Sequence, residues 1–155
     1  MKSVKILFVV YLTFIISHCF CQNPSDKILG TFLTQDKSSK VEFYKSGDKY
    51  YGKVIWMKDP IDPKTKKPYL DSDNPDPAKK TMPVMGMVVI NGVSYDKDCW
   101  DGGTIYDPNT GKTWDCSVSF NGSQLKVKGF WKFSWIGKTE LWTKSQSQLS
   151  INNKD

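Results

Sequence analysis

The chain of 155 residues contains no arginine, and its single histidine, His18, falls within the first 21 residues. That opening segment reads as an export leader, so the remainder has no imidazole. A chain without His has no Ser-His-Asp or Cys-His mechanism open to it, and no His-ligated zinc or iron site. Lack of arginine removes the planar fork that grips phosphates and base edges in pairs. The charge is lysine against acid, 22 to 16, spread along the chain and not gathered into a stripe, which excludes nucleic acid as a partner. Sustained helical periodicity is also missing. So is any apolar stretch of membrane-spanning length. No sequence feature implies a cofactor or a metal.

The leader reads in three parts. Lys2 and Lys5 give a short positive start, and residues 6–17 form a mostly apolar run too short to span a bilayer. Cys19 and Cys21 then take the small-residue positions before a cut preceding Gln22. A lipoprotein cut before Cys19 is the rival, and bulky His18 fits it poorly. The expectation is a leader over 1–21, one soluble domain over 22–144, and a polar, frayed tail over 145–155. Its expected location is periplasmic or secreted. Cys99 and Cys116 remain, a possible disulfide in an oxidising compartment.

What is present reads as strands and turns. Strands are predicted at 29–33, 41–45, 50–58, 84–90, 102–107, 112–120, 125–131 and 136–143. Asn121-Gly122 is the strongest short hairpin signal, because both residues tolerate positive φ. Pairing outward from it sets Val118 opposite Leu125, Cys116 opposite Val127 and Trp114 opposite Gly129. These alternate with Asp115, Ser117, Lys126 and Lys128, so one face is apolar and the other polar. On this register the two cysteines sit about four residues apart along neighbouring strands, roughly 13 Å at strand rise, which disfavours their bond. Trp114, Cys116 and Trp131 are expected inside. Asp107-Pro108 and Gly111 mark a turn before this hairpin, and Gly47-Asp48 marks another. Eight antiparallel strands with short hairpins suggest a closed up-and-down β-barrel, which leaves no exposed edge.

Residues 59–83 differ. This stretch holds six of the eight prolines, with five Asp and five Lys. No central strand accommodates those prolines, so it is a long loop, either a contact surface or a stiff crossover.

The ordered motifs Asp71-Ser-Asp73-Asn74-Pro75-Asp76-Pro77, Pro83 with Gly86, Trp100-Asp-Gly102-Gly103-Thr-Ile105-Tyr106-Asp107-Pro108, Gly111-Lys112, Leu125-x-Val127-x-Gly129 and Gly137-Lys138-Thr139 with Trp142 resemble the domain-of-unknown-function family 2147. Its members are small exported bacterial proteins. The resemblance covers about residues 28–144 and implies a lipocalin-like barrel, with no activity attached. Two positions depart from it. Phe32 follows Gly30-Thr31 where the family has Trp, and Lys144 stands where Arg is common.

Asp71-x-Asp73-x-x-Asp76 looks like a calcium loop, but Pro75 takes a ligand position and the closing Glu is replaced by Met82. Asx turns at Asp73 and Asn74 are the better reading. Glu140, alone or with Asp101 or Asp107, is the one candidate for acid-base hydrolysis. It reads equally as a strand residue paired with lysine. Trp56, Trp100, Tyr106, Trp114, Trp131, Glu140 and Trp142 are the candidate ligand contacts of the barrel interior and mouth. Lys53 and Lys138 are strand cations that could meet an acidic head group or simply face water. The expected function is binding of a small amphipathic or hydrophobic ligand in the periplasm. The alternative is an envelope interaction module with a solid core, using the 59–83 loop to contact another protein. A hydrolase built on Glu140 ranks third.

Overall fold

Alternating apolar and polar residues, broken by tight turns, fold as eight strands: β1 Gly30–Leu33, β2 Ser39–Ser46, β3 Lys49–Met57, β4 Val88–Asp96, β5 Cys99–Asp107, β6 Lys112–Asn121, β7 Gln124–Phe130 and β8 Gly137–Lys144. The computed structural model describes residues 23–131 and 137–145. The expected leader with His18, Cys19 and Cys21, Trp135, and the tail from 146 onward lie outside the described residues. Each strand pairs antiparallel with the next, and β8 returns to β1, giving a closed barrel. No helix among the described residues is long and apolar enough to cross a membrane.

Closure passes through the two residues that depart from the family pattern. Phe32 and Lys144 are register partners between β1 and β8. Phe32 is fully buried, and the Lys144 ammonium lies 6.0 Å from its ring centre. A cation over an aromatic face is a modest attraction that keeps the seam's polar tip in water while its ring fills the core.

An up-and-down path sorts the connections by end. The tight turns at 47–48, 97–98 and 122–123 lie at one end, together with the chain entering β1. The links β1–β2, β3–β4 and β5–β6 lie at the other, the mouth, where β7 ends and β8 begins. The tight end is plugged by a 3-10 helix, Pro24–Ile28, capped by the Asn23 side chain. Ile28 is fully buried. The Trp100 indole donates to the Ser25 carbonyl at 2.9 Å, and the Tyr50 hydroxyl donates to Asp26 at 2.6 Å. Lys45 joins Asp26 at 3.2 Å. These bonds, Tyr50's first, hold the Asp26 carboxyl below the usual range. Above the plug Phe32, Val41, Phe43, Tyr50, Val54, Ile90, Val93, Trp100, Cys116, Val118, Leu125, Val127 and Trp142 form a continuous core. The lower barrel is therefore solid.

Two expectations change in detail, and the cysteine pair is settled. The β6–β7 register pairs Phe120 with Leu125, Val118 with Val127 and Cys116 with Gly129, two positions from the expected one. Asn121 pairs with Gln124, and Gly122, at φ 61°, takes the first central position of the turn. A glycine in that place matches the strand twist as well as Asn-Gly does. A shift of two leaves every side chain on its expected face. The fourth strand starts at Val88 and runs through Gly92 to Asp96, whereas the expected strand ended at Ile90. Its turn is Lys97-Asp98, both at positive φ, a hairpin built without glycine. Cys99 and Cys116 are both free thiols. Cys99 pairs with Ser119 on the outer face, next to inward Trp100, while Cys116 is buried inside and pairs with Gly103. The barrel wall separates them. Burial pushes the Cys116 thiol up to about 12, so it stays protonated and serves as a small apolar side chain.

Candidate ligand-binding site

The β7–β8 ladder builds the upper interior. Leu125 faces Trp142, Val127 faces Glu140 and Gly129 faces Lys138. Leu125, Val127 and Trp142 are buried, so this row is the inner one, and alternation gives Glu140 and Lys138 the same parity, with Lys138 out at the rim. The Glu140 side chain keeps 30% of its exposure and that of Lys138 keeps 83%. Going from plug to mouth, the inner wall of β8 thus passes from indole to carboxylate to ammonium.

The carboxylate is held at both oxygens. The Trp142 indole donates to Oε2 at 2.9 Å, and the Lys138 ammonium meets Oε1 at 2.7 Å. Glu140's hydrogen bond and charge push the Lys138 pKa up, with smaller help from Asp107 and Asp36. The Gln35 side chain accepts from the Leu141 amide at 2.8 Å, which satisfies β8 above the end of β1. Gly129 lets the neighbouring strands' side chains pack close beside this group. A side chain there would press on Ile105 at 3.0 Å and reach the Cβ of Trp114 at 3.7 Å. On the neighbouring rim, Lys112, Thr113, Trp114 and Trp131 line a groove of about 480 Å³.

The candidate ligand residues divide by position. Glu140 and Trp142 form the inner group just described, and Trp114 is half-buried at the groove. Trp131, expected inside, is 64% exposed. It follows the last residue of β7, where the ladder no longer fixes alternation. Trp56 is 39% exposed, and the Lys40 ammonium sits 5.2 Å from its ring. The cause is a β-bulge: Val41 pairs with Val54 but Lys40 pairs with Trp56. The extra residue, Ile55, turns Trp56 from the inner face to the outer. Trp100 is inside but belongs to the plug. Lys53 is outside, 5.9 Å from the ring centre of Tyr44.

Tyr106 lies on the outer face, alternating with inward Ile105, and there it explains the loop motif. Its hydroxyl donates to Asp71 Oδ1 at 2.6 Å, and the Asn74 amide donates to Oδ2 at 2.5 Å. Asp71 is fully buried. Asn74 in turn accepts from the Asp76 amide, and Asp76 caps the short 3-10 helix Pro77–Lys79. At Gly111, φ 65°, any Cβ would overlap the Asp73 carbonyl oxygen. The Asp71, Asp73, Asn74 and Pro75 motif is thus a clasp that fastens the 59–83 loop to the β5–β6 hairpin. Burial, then the bond to Asp71, pushes the Tyr106 pKa up to about 12. The sequence contained both halves of the clasp, but nothing in their spacing joined them.

A family described as "Uncharacterized protein conserved in bacteria (DUF2147)" matches residues 30–144. Among solved structures the chain is similar to protein HP1028 of Helicobacter pylori, described as belonging to the lipocalin family. Identity is 27% and the TM-score 0.68, over 78% of this chain and 84% of that one. No curated protein matches it in sequence.

Proposed function

The chain belongs to the DUF2147 family and folds as a lipocalin-like barrel, and from that premise we propose that it is an exported protein that binds a small amphipathic molecule in its upper barrel. The observation that carries this reading is Glu140, an ionisable side chain on the inner row of β8 between buried Trp142 and exposed Lys138, above a solid core. A carboxylate fixed by an indole on one oxygen and left to an exposed lysine on the other is poised to accept a ligand's polar head. Tryptophan at the groove and along the inner wall suits a ligand that is apolar along its length. Lys2, Lys5 and the apolar run at 6–17 support export to the periplasm. Native mass spectrometry of the protein purified from its own host tests the binding role. The expected result is a co-purifying small molecule released on unfolding. Repeated recovery of the bare chain mass contradicts it.

A second reading keeps the 59–83 loop as a protein-contact surface. The supporting observation is that Tyr69, Leu70 and Met82 stay exposed although the loop is clasped in place. Because Asp71 is part of the clasp, cutting out the loop would also strip Tyr106 of its partner. Surface changes such as Leu70→Ser with Met82→Ser are the suitable test. Loss of crosslinked partners from the host envelope would favour this reading, and an unchanged set would remove it.

A further inference from the structure

We propose that the ligand carries a cationic head, such as a primary ammonium or amidinium, which takes the place of Lys138 on Glu140 while its apolar tail lies along Trp114 and Trp131. This deepens the binding reading and rests on it. Glu140 is fixed in place because the Trp142 indole holds Oε2 from below. Among the described residues its other oxygen meets only Lys138, whose side chain is mostly in water. An ion pair to a lysine so exposed is weak, so an incoming cation can displace it at little cost. The free lone pairs of Oε1 accept the new donor without disturbing Trp142.

The local charge favours a cation over an anion. Glu140, Asp107 and Asp36 all act on Lys138. Lys112, which lines the groove and pairs in register with Asp107, is a second cation there. An anionic head reaching Glu140 would meet its carboxylate, with Asp107 and Asp36 acting on the same place. A neutral ligand would cover Glu140 and strip its water while supplying no charge in return, which is unfavourable. A cationic head compensates that loss, and the Trp114 and Trp131 rings attract both cation and chain.

The test is titration of the full chain, followed by tryptophan emission, with dodecylammonium, dodecanoate and dodecanol below their micelle concentrations. Dodecylammonium is expected to bind about tenfold or more tighter than dodecanoate. Glu140→Gln should erase that preference by weakening dodecylammonium, while dodecanol, which then strips water from no charge, binds as tightly as before or tighter. Lys138→Met, which keeps chain length and removes the competing ammonium, should tighten dodecylammonium. Tighter binding of dodecanoate, or a cation preference that survives Glu140→Gln, overturns the cationic head and leaves the binding barrel standing. Failure of all three probes to bind overturns the binding barrel itself.

Discussion

Trp100→Ala should destabilise the protein by about 3–5 kcal/mol, the range for removing a buried large aromatic side chain. The ring is 1% exposed and meets Tyr95, Phe120 and Tyr50 at centroid distances of 5.0, 5.9 and 6.4 Å. Its indole also anchors the Pro24–Ile28 helix through the Ser25 carbonyl. Truncation therefore opens a cavity and loosens the plug together. Chemical unfolding gives the loss. Trp100→Phe separates the two effects, because it keeps most of the packing and removes only the bond to Ser25. If Trp100→Ala unfolds with the wild-type midpoint, the tight end is not plugged in this way.

Asp71→Ala should cost about 2–4 kcal/mol, because it leaves two hydrogen-bond donors without their acceptor. Asn74 is nearly buried and has little access to water, whereas the Tyr106 hydroxyl can turn partly towards solvent. Limited proteolysis should then cut within 59–83, while the barrel persists. Asp71→Asn should cost less, since it retains one acceptor. The clasp also gives a pH dependence. The Tyr106 phenol has an ordinary value of 10.0 and rises to about 12 in the folded protein. The folded state thus holds the proton more tightly. The stability this contributes is complete below about pH 10 and is lost as pH rises from there through about 12. Tyr106→Phe should flatten that alkaline loss. An Asp71→Ala protein with unchanged stability and unchanged cleavage would show that the loop is not fastened by this carboxylate.

Strand count, barrel closure and the faces of β6 and β7 were legible because a period of two is written directly into residues such as Cys116, Val118, Leu125 and Val127. Register was less legible. Two adjacent turn choices around Gly122 differ by two positions and preserve the same faces, so the hydrophobic pattern cannot separate them. The β-bulge at Ile55 was invisible for a related reason. Trp56 has the inner parity when residues are counted along β3, and only pairing with Lys40 shows the flip. The inner site was half legible. Glu140 was recognisable as an isolated acid within a strand, yet its inward aim depends on standing opposite Val127, a partner in another strand. The clasp was the least legible feature, because Asp71 and Tyr106 are 35 residues apart and belong to a loop and a strand.

The central claim is that a small amphiphile enters the upper barrel and reaches Glu140. Nuclear Overhauser contacts between added dodecylammonium and the isotope-labelled protein test it most directly. The account predicts contacts from the ligand to the Trp142 indole proton and the Val127 methyl groups. Contacts confined to Tyr69, Leu70 and Met82 on the loop would contradict it.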